Sequence, residues 1–204
     1  LEEGELKTTK QEQLETGVVF GGLILMANEL KSDTTDTIRA LRAGGLDVKM
    51  ITGDHIQTGV AVSYQCGILA PGDVCTIDTV ESNSDDVVYE ADLRYTLMDD
   101  GSSGRAAQEL SASEALAAIG AGQCGVAMTG RALRVYAASD PQALGPLIDK
   151  CRVFARMQPN DKKFVVDVIT GKQTLDRPSL ISDVGTHESE DDDGLLTICA
   201  SKPA

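Results

Sequence analysis

The sequence predicts an α/β fold built around a parallel β-sheet. Residues 18–27, 46–51, 125–128 and 152–155 are mostly apolar segments of strand length, whereas the segments between them carry apolar residues at helical spacing. Through residues 18–67 the connections are only a few residues long. Strands that alternate with helices over short connections are typical of a parallel sheet covered by helices.

The composition is that of a globular chain with an acidic surface. The 204 residues are 42% hydrophobic and 3% aromatic, so we expect a core made mostly of Val, Leu, Ile and Ala. The formal net charge of −14 argues against nucleic acid or an anionic membrane surface as a partner, because both require clustered Lys and Arg. The longest apolar run is too short to span a bilayer.

The cysteines and histidines do not suggest a metal site. Five cysteines are scattered along the chain without a Cys-x-x-Cys pair, and there are two histidines. We therefore expect free thiols in a reducing compartment and no zinc.

The first third of the chain predicts two strand–helix units. Residues 18–27 read as a buried strand, because the run is continuous and contains β-branched residues. A buried helix is the alternative, which the glycine pair inside the run disfavours. A helix over residues 33–42, a strand over 46–51 and a helix over 57–65 follow, and glycine stops both helices.

The middle of the chain predicts a small β insertion over residues 71–113, with strands over 74–80 and 87–97. From residue 171 onward the regular pattern is lost, and the acidic segment 188–194 is expected to be disordered. Between these regions we expect a helix over 114–119 capped by Ser113, a strand over 125–128, helices over 131–138 and 141–151, a strand over 152–155 and a helix over 159–168.

The stretch Thr52-Gly53-Asp54 lies between a predicted strand and a predicted helix. It brings together a hydroxyl, a flexible backbone and the N–H groups of a helix N-terminus, which are groups that bind phosphate. Ligands of parallel sheets bind outside the carboxyl ends of the strands, which is where this stretch falls. The alternative is an ordinary turn with an N-cap.

A second marker is the run VFARMQPNDKK over residues 153–163. Pro159 suits the start of a helix, and Lys162 follows in the first turn. The helix dipole disfavours a cation at that position, which favours an anionic partner nearby. The alternative is a solvated surface lysine.

Taken together, these stretches resemble P-type ATPases. Residues 51–68 are similar to the family segment TGDxxxTAxxVAxxCGI, and residues 153–162 are similar to its segment VFARxxPxxK. Residues 25–31 resemble the hinge ENxLK and residues 127–132 resemble LTGKAF, both typical of the type-five class of cation and polyamine transporters. The resemblance covers roughly residues 8–168, in order.

The resemblance implies a haloacid-dehalogenase-like phosphorylation domain with a Rossmann-type sheet, incomplete in this chain. It implies that residues 1–16 end a nucleotide-binding domain and that residues 17–170 form a partial phosphorylation domain, with 71–113 as the insertion. Residues 171–204 are then an irregular acidic tail.

The resemblance also implies roles for the first marker. In the family an aspartate takes the γ-phosphate of ATP, and Mg²⁺ bridges the phosphate. Thr52 would donate its hydroxyl and N–H to a phosphoryl oxygen, and Gly53 would let the backbone approach closely. Asp54 would fix the turn and the metal–water network. Such chemistry consists mostly of positioning and electrostatic stabilisation.

Three further residues receive roles in the same way. Lys162 would neutralise the phosphoryl group, and Asn28 and Lys31 of the hinge would lie near the nucleotide phosphates. ATP is the implied partner, whereas a transported cation or polyamine binds only in the full-length parent.

The chain also departs from the family. The nucleophile motif DKTGT, the metal-binding segment GDGxND and the membrane helices are missing, while Ser32 and Gly59 stand where the family usually has Pro and Ala. The first residue is Leu1. We therefore expect a fragment of an ATP-driven cation transporter that forms no phosphoenzyme by itself. We expect the parent to be an integral membrane protein with this part on its cytoplasmic side, and the chain alone to be soluble and cytoplasmic.

Two other functions stay open. A haloacid-dehalogenase-type phosphatase would share the Thr and Lys roles but needs an Asp-x-Asp nucleophile early in the chain, and none follows a strand here. A non-catalytic phosphate-binding or regulatory module would keep the phosphate pocket without the chemistry.

Overall fold

The computed structural model describes most of the chain, namely residues 16–24, 29–80, 93–102, 104–172 and 197–201. The chain divides into two compact units, residues 1–30 and residues 31–204. The helices and strands named below lie in the second unit.

Six helices are present in the described part of the chain: α1 (Thr34–Ala43), α2 (Ile56–Cys66), α3 (Ala112–Gly120), α4 (Gly130–Ser139), α5 (Pro141–Lys150) and α6 (Pro159–Ile169). The strands of that part form one sheet: β1 (Asp47–Ile51), β2 (Val74–Thr79), β3 (Leu93–Met98), β4 (Gln108–Leu110), β5 (Gly125–Thr129), β6 (Cys151–Ala155) and β7 (Thr197–Ser201).

The sheet has the order β4-β3-β2-β5-β6-β1-β7. Its four central strands, β2, β5, β6 and β1, run parallel, and β3, β4 and β7 are antiparallel to their neighbours. The predicted α/β class is therefore confirmed, with a parallel centre. Antiparallel strands extend the parallel centre on both sides, so the sheet as a whole is mixed.

The central strands are buried on both faces. Ile51 of β1, Met128 of β5 and Phe154 of β6 are all 0% exposed. A strand covered by helices on both sides needs apolar residues on both faces, which explains why apolar residues predominate in these strands.

Lys49 is the one charged residue of β1 that is almost fully buried, at 2% exposure. Its Nζ donates to the main-chain carbonyls of Ile148, Asp149 and Cys151, at 3.1, 2.6 and 2.9 Å. These carbonyls lie at the end of α5, where a helix leaves acceptors without intrahelical donors. Burial lowers the pKa of Lys49, while the neighbouring Cys151 and Asp149 act in the opposite direction.

The predicted β insertion continues the main sheet. Strand β2 pairs in parallel with β5, and Val74 lies opposite Gly125. Strand β3 pairs with β2 and carries Tyr95, whose hydroxyl lies 2.5 Å from that of Tyr136 on α4. Residues 87–92 of the second predicted strand lie outside the described residues.

The strand predicted over residues 18–27 was wrong for the part that is described. Residues 18–24 have no regular secondary structure. Their large side chains are 73–91% exposed. An apolar run indicates a preference for burial but does not supply a neighbouring strand, and Gly22 adopts a φ of +139° that extended strands avoid. Residues 25–28 lie outside the described residues.

The helix predictions are confirmed with small shifts at the ends. The N-cap of α3 is Ser111, not Ser113, because the Ser111 hydroxyl accepts from the N–H of Glu114 and the Glu114 carboxylate accepts from the N–H of Ser111. Strand β7 is a regular element inside the stretch predicted to be irregular. In the described part of the chain, no helix combines the length and the apolar character needed to cross a membrane.

Candidate functional site at the carboxyl edge of the sheet

Thr52 is the first residue after β1 and lies at the carboxyl edge of the parallel strands. It is 2% exposed, and its N–H donates to the Phe154 carbonyl of β6 at 2.8 Å. Its hydroxyl donates to Oδ2 of Asp54 at 3.0 Å and accepts from the N–H of Asp54 at 3.1 Å. The threonine side chain is therefore held in one orientation by the residue two positions later.

The loop then turns into α2. His55 is the N-cap of this helix, and its Nδ1 accepts from the N–H of Gln57 at 3.3 Å. Gly53 and Asp54 are exposed at the turn. The predicted arrangement of strand, Thr-Gly-Asp and helix is therefore present, and its Gly-Asp part is exposed to solvent.

The second marker lies directly beside the first. After β6, the N–H of Arg156 donates to the carbonyl of Asp54 at 2.9 Å, and the N–H of Met157 donates to the carbonyl of Thr52 at 3.0 Å. These two bonds join the loop after β1 to the loop after β6. Two segments that are separated by a hundred residues in the sequence form one unit in the fold.

Lys162 lies one turn into α6, the helix that follows the second loop. Its side chain is partly buried, and its N–H donates to the carbonyl of Gln158 at 3.0 Å. Pro159 is the first residue of the helix, as the sequence predicts. The fold thus places Thr52 and Lys162 after two adjacent parallel strands, at the same edge.

Of the two hinge residues, Lys31 lies in the described part of the chain. Lys31 is exposed and lies ahead of α1, where its carbonyl accepts from the N–H of Thr34 at 3.1 Å. Helix α1 leads through a short connection into β1, so its N-terminal end lies on the side of the sheet where β1 ends. Asn28 lies outside the described residues.

Gly59 shows how closely α2 packs on the sheet near this site. A Cβ at this position would lie 3.1 Å from Cγ1 of Val153 and 3.5 Å from Cγ2 of Thr52. The glycine therefore lets the helix approach both β6 and the threonine.

The sequence does not indicate a neighbouring group of polar residues at the same edge. The Thr129 hydroxyl donates to Asp78 at 2.8 Å, which joins the ends of β5 and β2. Arg134 of α4 donates to Asp161 of α6 at 2.6 Å, and Asp161 is 1% exposed. Each pair joins elements distant in sequence, so no local pattern could have revealed it.

Comparison with known proteins identifies the relatives of the chain. No protein-family model matches it. It is 30% identical over 163 residues to the probable cation-transporting ATPase 13A4 of Gallus gallus, covering 77% of this chain and 13% of that protein. It is 26% identical over 167 residues to the human probable cation-transporting ATPase 13A5, covering 80% and 14%. It is 27% identical over 165 residues to the polyamine-transporting ATPase 13A3 of Mus musculus, covering 78% and 14%.

These relatives are P-type cation- and polyamine-transporting ATPases, which confirms the resemblance seen in the sequence. The chain spans 13–14% of the length of these relatives.

Proposed function

We propose that this chain is the part of a P-type cation-transporting ATPase that holds the phosphoryl group. The observation that carries the proposal is the pair of hydrogen bonds between the Thr52-Gly53-Asp54 loop and the Arg156–Met157 backbone. The relatives, which are cation- and polyamine-transporting ATPases, support it. ATP hydrolysis, transport and the transported ion belong to the longer protein and are part of the proposal.

Thr52 is proposed to donate its hydroxyl to a phosphoryl oxygen. In the structure that proton points to Asp54. An incoming phosphoryl group therefore competes with the Asp54 carboxylate for the same hydroxyl. The exposed backbone at Gly53 gives the ligand a close approach.

Lys162 is proposed to neutralise the charge of the phosphoryl oxygens. Phosphoryl transfer depends mostly on positioning and on electrostatic stabilisation of these oxygens. Lys31 is proposed to contact the more distant phosphates of ATP, together with Asn28.

Among the residues that the structure describes, no three His, Cys, Asp or Glu side chains group in a way that would hold a metal ion. The metal carboxylates and the aspartyl nucleophile of the family belong to motifs that this sequence lacks.

A non-catalytic phosphate-binding module is the second candidate, because the sequence lacks the DKTGT nucleophile while it keeps Thr52 and Lys162. Both candidates bind phosphate, and neither predicts that this chain alone forms an acyl phosphate. Incubation with γ-labelled ATP should give no alkali-labile acyl phosphate on this chain alone. A labelled band of that kind would show that the chain holds a nucleophile of its own.

Phosphate binding by the Thr52 loop is tested with inorganic phosphate and the full 204-residue chain. We expect Thr52→Val and Lys162→Met each to weaken the association at this site at least tenfold, measured by calorimetry. Thr58→Val and Lys163→Met are matched controls, since both residues are exposed and lie close in sequence. Equal binding by the test and control variants would contradict the proposed role.

A further inference from the structure

A cavity lies at the amino edge of the sheet, opposite to the edge that carries Thr52. It has a volume of about 240 Å³, and its walls are the turns over residues 68–73 and 122–125 together with Arg42 and Arg152. We propose that this amino-edge cavity binds a ligand through a single carboxylate group. The proposal does not depend on the function of the Thr52 loop.

Two guanidinium groups line the cavity from different elements. Arg42 is exposed in the last turn of α1, and Arg152 is the second residue of β6, with its side chain 34% exposed. The two charges are close enough to interact: burial lowers the pKa of Arg152, and the charge of Arg42 lowers it further, although Arg152 is paired with Asp47. An anion bound between two like charges relieves their repulsion.

The bonds of these two arginines leave donors for a ligand. Arg42 donates from Nη1 to the main-chain carbonyl of Gly67 at 2.6 Å, which is a neutral acceptor. Arg152 uses its own Nη1 for the ion pair with Asp47. Each of these bonds occupies one nitrogen of a guanidinium group, which carries five N–H donors in a plane that matches a carboxylate.

The surroundings favour one negative charge over two. Asp73, the carboxylate of the lining, is paired with Arg105. Helices α1, α2 and α3 each lead into the amino end of a parallel strand, so their C-terminal ends lie at this edge of the sheet. The C-terminal end of a helix carries a partial negative charge. A doubly charged phosphate is therefore disfavoured, whereas a singly charged carboxylate matches the charge of Arg42.

The volume of the cavity limits the rest of the ligand. A water molecule occupies about 30 Å³ in the liquid, so the cavity holds about eight waters. Sites for drug-sized molecules have volumes of roughly 300–1,000 Å³. Apart from its charged groups, the cavity is lined mainly by apolar and glycine residues, among them Leu69, Pro71 and Gly122. The carboxylate therefore belongs to a small acid with a compact apolar body or to an acidic side chain of a partner protein.

The test is an amide NMR titration of the full 204-residue chain with benzoate. The signals of residues 122–125 report on this cavity, because these residues line it. Arg152→Gln and Arg42→Gln should each weaken benzoate binding at least tenfold, and Arg42→Lys should recover part of the affinity. Arg94→Gln is the matched control, because Arg94 is 49% exposed and paired with Glu109 on another part of the sheet. It should change the affinity less than twofold.

Arg152→Gln keeps the test decisive if Arg42→Gln does not fold. Arg42→Gln removes the donor to the Gly67 carbonyl at the end of α2. In Arg152→Gln, by contrast, Asp47 keeps its ion pair with Lys49 at 3.2 Å.

Three results would overturn the proposal. The first is that neither benzoate nor N-acetyl-aspartate amide shifts the signals of residues 122–125. The second is an equal effect of Arg152→Gln and Arg94→Gln, which would indicate general charge screening. The third is inorganic phosphate that displaces benzoate from these signals at a concentration below that of the benzoate itself, which would assign the cavity to a doubly charged anion.

The two carboxylates distinguish the source of the ligand. Tighter binding of N-acetyl-aspartate amide than of benzoate would indicate an acidic side chain of a partner protein. Tighter binding of benzoate would indicate a free acid with an apolar body.

Discussion

The N–H of Arg156 donates to the carbonyl of Asp54 at 2.9 Å, so the one non-glycine residue of the described chain with a positive φ is bonded to the loop that carries Thr52. The bond from Met157 to Thr52 lies beside it. The loop after β6 therefore contacts the Thr52 loop on one side and packs against Gly130 of α4 on the other.

The buried carboxylate of Asp161 is expected to be important for stability. It accepts from Arg134 at 2.6 Å and from the N–H of Gln158 at 3.0 Å. Asp161→Ala leaves that N–H without its acceptor and the arginine without its partner. We expect a loss of about 2–4 kcal/mol in the free energy of unfolding, measured in urea. Arg134 is 31% exposed and can reach water, which limits the loss.

Asp36→Ala is the control for this variant. Asp36 pairs with Arg39 on the surface, where both side chains are at least 70% exposed. Such pairs contribute about 0–1 kcal/mol. If the two variants lose the same stability, the buried pair has no special role.

Gly130→Ala is expected to destabilise the fold. The new Cβ would lie 2.6 Å from Oδ2 of Asp161 and 2.8 Å from the carbonyl of Arg156, and the second is a backbone atom that cannot move freely. We expect a loss of about 2–3 kcal/mol by thermal or urea unfolding. Gly120→Ala is the matched helical change, with open space around the new methyl group, and should alter stability by less than about 1 kcal/mol. A neutral Gly130→Ala would show that α4 can move away from the loop.

Lys49→Met should destabilise the chain through the end of α5. The substitution removes the donor of three buried or partly buried carbonyls. We expect a loss of about 2–4 kcal/mol, because unsatisfied buried polar groups are unfavourable. Lys163→Met, at an exposed position, should have little effect.

The same variant has a pH signature. Burial lowers the pKa of Lys49 below the usual 10.5. Between the lowered pKa and 10.5, the unfolded chain therefore binds more protons than the folded one. The wild type therefore gains stability from this group as the pH rises towards 10.5, whereas Lys49→Met does not. The difference between the two is expected to increase over that range, and a constant difference would indicate that Lys49 has an ordinary pKa.

Alkaline pH should destabilise the fold through buried thiols. Burial raises the pKa of Cys75 from 9.0 to about 12, with a smaller effect from Cys124. The folded state retains the proton longer than the unfolded state, so this contribution is fully present below pH 9.0 and is lost as the pH rises towards about 12. Urea midpoints at pH 7, 9 and 10.5 should fall less steeply in Cys75→Ala than in the wild type.

Val126→Ala provides the comparison for the thiol. Val126 lies opposite Cys75 in the sheet and is 1% exposed, but has no titratable group. It should lose stability at every pH and keep the pH slope of the wild type. If stability falls with pH as steeply in Cys75→Ala as in the wild type, the thiol is not the cause of the alkaline destabilisation.

The parallel centre of the sheet could be predicted from the sequence, because its strands, helices and turns each leave a pattern in neighbouring residues. Four of the residues 46–51 are apolar, and the following helix is stopped by Gly67, which adopts a φ of +80°. Thr52 was placed correctly at the end of this strand for the same reason. Lys162 was placed in its helix because Pro159 marks the helix start.

What the sequence could not predict depends on partners distant in the chain. The Thr129–Asp78 and Arg134–Asp161 pairs exist only after the sheet is assembled. The run over residues 18–27 has strand character, but strand character does not determine which edge, if any, it joins. The edge strand β7 follows an acidic stretch, and its pairing with β1 joins residues about 150 positions apart, which no local pattern indicates.

Strand β7 also bears on the order in which the sheet forms. It covers the outer edge of β1, with Asp47 opposite Ser201 and Ile51 opposite Thr197. During synthesis β1 emerges before β7, and its edge has no β7 to pair with until residues 197–201 have left the ribosome. Contacts that span such long loops form slowly, and an unpaired strand edge is a template for association between chains. Nascent chains that stall before residue 197 are therefore expected to need a chaperone at the edge next to Thr52.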